Sequence, residues 1–130
     1  MATWFRRYAR AGDPAGHQAT RHSPPSPNQL GLPDSPLGRQ VRRHRRALLN
    51  ILERAGAHHP RVFGSVARDE DTENSDVDIL VDPDDTVSLV TLARLNRELS
   101  TLLDTPVDLV PAATLKPGVR ERVLAEAIAV

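Results

Sequence analysis

From residue 36 onward the apolar positions fall into helical and strand periods that alternate along the chain. Val41, Leu48, Ile51, Leu52 and Ala55 share one stripe at helical spacing, and Gly56 follows as a stop, so residues 38–55 are expected to form a helix. A short strand is expected at Arg61–Phe63, then a turn at Gly64-Ser65. Val66–Arg68 can begin a helical turn, and Asp69–Ser75 reads as a polar loop. Val77, Ile79 and Val81 alternate with polar or opposite-facing positions, which predicts a strand over 77–81 that ends at Asp82-Pro83. Leu89, Leu92, Leu95, Leu99 and Leu102 line one side of a helix over 86–103, with Asp85 or Thr86 as its N-cap. Pro106–Val110 reads as a third strand. Pro117 suits a first helical position, and Val119–Ile128 makes a last short helix. There is no internal repeat.

Residues 1–35 lack this periodicity. Pro14, Pro24, Pro25, Pro27, Pro33, Gly12, Gly16 and Gly31 sit among polar residues, a composition that buries too little apolar surface to offset its ordering entropy. A disordered leader over 1–35 and a folded domain over 36–130 are expected. Trp4, Phe5 and Tyr8 are isolated aromatics within that leader.

Two aspartates break the second strand's apolar pattern. Side chains alternate across a strand, so Asp76 and Asp78 point one way while Val77, Ile79 and Val81 point the other. Aspartate is a poor strand former. Two ionised carboxylates roughly 6 Å apart repel by about 3 kcal/mol at an effective dielectric near 20. A divalent cation converts that repulsion into binding, because hard cations prefer carboxylate oxygens. The third strand repeats the anomaly: Asp108 stands between Val107 and Leu109. If the two strands are neighbours, three carboxylates face one cavity. With two divalent ions they form a site suited to in-line phosphoryl or nucleotidyl transfer.

Gly64-Ser65 supplies the complementary half. Glycine lets the backbone approach a ligand closely, the amides that follow favour an anion, and the Ser65 hydroxyl can donate to a phosphate oxygen. Arg68 lies one helical turn on and can reach the same phosphates. Alone, a Gly-Ser pair or an Asp-x-Asp pair is a weak signal. Their combination with strand context and a later Asp108 is specific.

Charge and composition narrow the picture. The chain has 130 residues and zero formal net charge, so no global field draws it to nucleic acid or membrane. Residues 36–62 carry seven arginines against Glu53 alone, whereas 63–130 carry six basic residues against fourteen acids. Arg39, Arg42, Arg43 and Arg46 form a basic outer helix face, more often solvated surface than a nucleic-acid grip. The absence of cysteine excludes disulfides and thiolate metal sites and fits a reducing cytoplasm. No apolar run reaches the length of a membrane span.

Gly64-Ser65, a ten-residue gap, and Asp76-x-Asp78, with Val62-Phe63 before and Ala67-Arg68 within, closely resemble the nucleotidyltransferase superfamily that includes DNA polymerase β. The brevity of the chain and the Asp108 strand resemble its minimal nucleotidyltransferase branch. The resemblance covers about residues 37–130. It implies an α+β fold, a small mixed sheet with helices packed on it. It also implies a nucleoside triphosphate substrate with magnesium. By position, Asp76, Asp78 and Asp108 would be metal ligands, Asp108 would help activate the nucleophile, and Gly64 and Ser65 would hold the triphosphate. One departure stands out: many members of the branch carry glycine after the arginine, where this chain has Asp69.

Small stand-alone members of the branch often serve as antitoxins that place AMP from ATP on a tyrosine of a HEPN-domain ribonuclease toxin. That is the leading expectation here, with the HEPN toxin as partner and a cytoplasmic location. Transfer to an RNA 3′ end or to a small-molecule hydroxyl of the aminoglycoside kind is the second. A non-catalytic binder that neutralises by contact is the third, and the intact carboxylate trio argues against it. The leucine-rich helix suggests shared surface with a second copy or another protein. Asp82, Asp84 and Asp85 read as turn and cap residues, His58 and His59 as surface loop, and Glu121 and Glu126 as helix-surface charges.

Overall fold

The computed structural model describes residues 31–130. Trp4, Phe5, Tyr8 and the leader up to residue 30 lie outside the described residues. The elements run α1 (Pro36–Arg43), α2 (Arg45–Ala55), β1 (Ala57–Phe63), β2 (Val77–Pro83), α3 (Leu89–Leu103), β3 (Val107–Pro111), a 3-10 turn (Ala112–Thr114), α4 (Pro117–Glu126) and β4 (Ile128–Ala129). The strands form one mixed sheet in the order β3-β2-β1-β4. β1 is antiparallel to β2 and β4, while β2 and β3 are parallel and joined through α3.

The two sheet faces bury different sets. Val62, Val77, Ile79, Val81, Val107 and Leu109 pack with Leu37, Val41, Leu48, Leu52, Leu95, Leu99 and Leu103 from the first three helices. On the other face Phe63, Leu80 and Val110 pack with Ala112, Leu115 and Val123, the last from α4. A sheet covered by helices on one face and by one helix and a turn on the other explains the apolar runs in β2.

Several boundaries differ from the expected ones for identifiable reasons. Among the described residues, packing reaches back past residue 36: Leu32 joins the core, and the Ser35 side chain accepts from the Gly38 N–H as the N-cap of α1. The helix expected over 38–55 is two helices broken at His44. Gln40 donates to the Leu103 carbonyl at 3.1 Å and the Leu37 N–H donates to Asp71 at 2.9 Å. These contacts hold α1 against α3 and the 69–75 loop. Gly56 ends α2 at φ +84, as its position suggested.

β1 is longer than expected because a register shift between His58 and Arg61 absorbs Pro60, and His59 there adopts φ +55. His58 and His59 are therefore strand residues, paired with Asp84 at 2.8 Å and Asp82 at 3.1 Å. α3 starts later than expected, at Leu89, because Ser88 rather than Asp85 or Thr86 caps it, accepting from the Thr91 N–H at 3.1 Å. Leu89 consequently drops off the buried stripe and is 82% exposed. The last helix stops at Glu126, and Ile128 and Ala129 pair with Val62 and Arg61 as a two-residue edge strand.

Candidate active site

The carboxylates come together through strand register. Asp78 of β2 pairs with Asp108 of β3 in the parallel ladder and with Phe63 of β1 in the antiparallel one. Residues directly opposed in a ladder share a face, so Phe63, Asp78 and Asp108 form one row across three strands. Asp78 is completely buried, and Asp108 is half-buried. Asp76 lies one residue before β2 and is half-buried. The entrances of β2 and β3 are tied together there, since the Val77 N–H donates to the Pro106 carbonyl at 2.9 Å and the Thr105 hydroxyl to the Ser75 carbonyl at 3.4 Å.

β3 is an edge strand, and α3 saturates its outer donors. Asn96 Oδ1 accepts from the Leu109 N–H at 2.9 Å, and Ser100 Oγ accepts from the Val107 N–H at 3.0 Å. These two bonds bracket Asp108 and fix its place in the row. They also block the edge against pairing with another strand. The polar residues of α3 gave no sign of this role in sequence, because helix-surface Asn and Ser are common.

Gly64 follows Phe63, so the turn opens beside the Asp78 end of β2. Its φ is +79, a conformation that glycine takes freely. The next residues wind into turns: Arg68 N–H donates to the Gly64 carbonyl at 3.1 Å and Glu70 N–H to the Ser65 carbonyl at 2.8 Å. Ser65 is half-buried at the start of this winding. Asp69 adopts φ +60 and is exposed. Glycine takes that left-handed backbone freely, and aspartate tolerates it better than most residues.

Arg68, the residue expected to reach the phosphates, is held beside the turn by acidic partners. Its Nε donates to Glu70 at 3.0 Å, and its Nη1 donates to the two Glu126 oxygens at 3.1 and 3.2 Å. The Gly64 N–H donates to Glu126 Oε2 at 2.8 Å. Glu126 is therefore not the helix-surface charge its position suggested: the end of α4 brings its carboxylate onto the turn. Nothing local in the sequence signals this, since the contact spans 62 residues.

The donor chemistry fits a hard divalent cation: a fully buried carboxylate lies in register with a second, with a third two residues upstream. Among the described residues, however, no three carboxylate or imidazole side chains already converge as a cation cage. Asp78 and Asp108 are placed side by side by the ladder, and Asp76 is placed by the chain leading into it.

The nucleotidyltransferase domain family matches residues 45–130, which include the turn and all three aspartates. The protein adenylyltransferase MntA of Thermococcus cleftensis is 45% identical over 78 residues, 60% of this chain and 79% of the relative. The solved structure of a candidate minimal nucleotidyltransferase superposes with a TM-score of 0.66 at 44% identity, covering 71% of this chain and 94% of that one. A minimal nucleotidyltransferase antitoxin, solved in complex with a tri-AMPylated HEPN toxin of Shewanella oneidensis, shares the fold with a TM-score of 0.54 at 21% identity, covering 68% of this chain and 69% of that one. The chain belongs to the nucleotidyltransferase family and is an enzyme of the minimal nucleotidyltransferase kind.

Proposed function

We propose that this chain transfers AMP from ATP to a tyrosine hydroxyl of a HEPN-type ribonuclease toxin and thereby acts as its antitoxin. The observation that carries the reading is the in-register pair Asp78 and Asp108 beside the Gly64 turn. This places acidic oxygens next to a backbone suited to phosphate, the two halves that nucleotidyl transfer needs. The named activity of the Thermococcus relative and the AMPylated toxin in the Shewanella complex support the acceptor class.

In the reaction the acceptor oxygen attacks the α-phosphorus of ATP. The bond from that phosphorus to the oxygen bridging the β-phosphate breaks, and pyrophosphate leaves. Asp76, Asp78 and Asp108 would hold two magnesium ions, which neutralise phosphate charge and acidify the acceptor hydroxyl. Asp108 takes the hydroxyl proton. The Gly64 amide and Ser65 hydroxyl orient the triphosphate, and Arg68 balances its charge. The fixed ladder partners of Asp78 and Asp108 keep these oxygens in place without reorganisation during the reaction.

The test is transfer from ATP radiolabelled on the α-phosphate, with magnesium, to the product of the neighbouring gene. Label on that protein from the wild-type chain, lost in Asp76→Ala/Asp78→Ala, is the expected result. Label on RNA or on a small hydroxyl compound instead would replace the acceptor. No transfer to any of them from a folded chain would overturn the reading.

A further inference from the structure

The turn expected to receive phosphate already holds an anion, and the chain supplies it. Glu126 is the last residue of α4, and its carboxylate accepts from the Gly64 N–H at 2.8 Å and from Arg68 Nη1 at 3.1 and 3.2 Å. A carboxylate and a phosphate oxygen make the same demand here: a backbone amide and a guanidinium directed at one negative oxygen. Gly64 has a single N–H, so it cannot bond fully to both.

α4 itself is held in the core by Val123, and the chain that follows Glu126 forms only a short edge strand. After Glu126 the chain leaves the helix at Ala127; β4 pairs through Ile128 and Ala129, and the Val130 N–H donates to the Pro60 carbonyl at 3.2 Å. Such a short edge strand is the kind of segment that opens locally at low cost. Arg68 is meanwhile kept from collapsing elsewhere by its second partner, Glu70, at 3.0 Å. It therefore remains beside the turn when Glu126 departs.

We infer that Glu126 is a built-in occupant of the phosphate position at Gly64 and Arg68, and that the nucleotide binds by displacing it. The inference rests on the nucleotide-binding reading above. Occupancy by Glu126 lowers the competent fraction of the protein, so the apparent affinity for nucleotide falls by that fraction. It also keeps a glycine turn and an arginine in their binding geometry when no nucleotide is present. Displacement frees the α4–β4 junction, so nucleotide binding is felt at the sheet edge formed by β4.

The experiment is calorimetric titration of the full chain with ATP, using calcium in place of magnesium to suppress turnover, for wild type and Glu126→Gln. Glutamine keeps the size of the side chain and removes its charge. Displacement predicts that Glu126→Gln binds ATP roughly five- to tenfold more tightly, because like-charge competition is gone. If Glu126 merely steadies Arg68, the variant binds equally or more weakly, and the inference is overturned. A second measurement needs no variant: in the wild-type NMR spectrum, ATP should shift the Gly64 amide and the Glu126 side-chain carboxyl together. A Gly64 shift with Glu126 unmoved contradicts displacement while leaving the nucleotide site intact. No ATP binding by either protein overturns the nucleotide site itself, and the displacement with it.

Discussion

Asp78 and Asp108 are direct partners in the parallel ladder between β2 and β3, and Asp78 is fully buried. A fully buried acid directly opposed by a half-buried one would be discarded by selection for folding alone, since burying charge costs several kcal/mol unless it is compensated. A cation that binds the folded state compensates it and couples metal to stability by mass action. Magnesium should therefore raise the Tm of the wild-type protein, by an amount that grows with concentration. In Asp78→Asn the same titration should leave Tm nearly unchanged. A magnesium response of equal size in both proteins would show that the ion binds elsewhere.

Gly64 sits at φ +79 beside these acids. An L-residue in that region costs about 1–2 kcal/mol. Gly64→Ala should lower unfolding free energy by that amount in urea titration and weaken ATP binding more than the stability loss explains. Unchanged stability would mean that the turn relaxes to an ordinary backbone.

Asp69 offers the reverse case. Its φ of +60 and its exposure suggest that Asp69→Gly is neutral or stabilising by about 0.5 kcal/mol, because relief of the left-handed backbone outweighs added chain entropy. Urea midpoints of the two proteins check this. A loss above about 1 kcal/mol would show that the Asp69 side chain is needed by the loop.

The cap of α3 separates sequence expectation from structure. Ser88→Ala should cost about 1 kcal/mol, whereas Thr86→Ala should lie within about 0.5 kcal/mol of wild type. On the same helix, buried Leu99 cut to Ala should cost about 2–5 kcal/mol, while Leu89→Ser at an exposed position should be nearly silent. Equal costs at Ser88 and Thr86 would place the helix start elsewhere.

How much was legible in the sequence follows from the range of the forces involved. Strand alternation placed Val77, Ile79 and Val81 on one core face, and Asp78 and Asp108 within apolar strands, with Asp76 just ahead of β2, stood out as the candidate site. Those are local patterns. Ladder register gave Asp108 its neighbour, which the sequence could only pose as a condition. The break at His44 depends on Gln40 and Asp71 contacts across the fold. The strand at Ile128–Ala129 is too short to show a period, and its residues read equally as the tail of a helix. Glu126 reads as a helix-surface charge in the sequence, because its partners are set by a contact between the end of α4 and a turn far back in the chain.

In the proposed function the carboxylate row and the turn act together to move AMP onto a protein hydroxyl. The most direct measurement is the intact mass of the proposed HEPN-type toxin partner after incubation with ATP, magnesium and this chain, for wild type and Asp78→Asn matched for folding by circular dichroism. Mass gains in whole AMP units on a tyrosine are expected with wild type, and none with Asp78→Asn. An unmodified toxin that is still silenced by both proteins would contradict the proposed function, leaving neutralisation by contact.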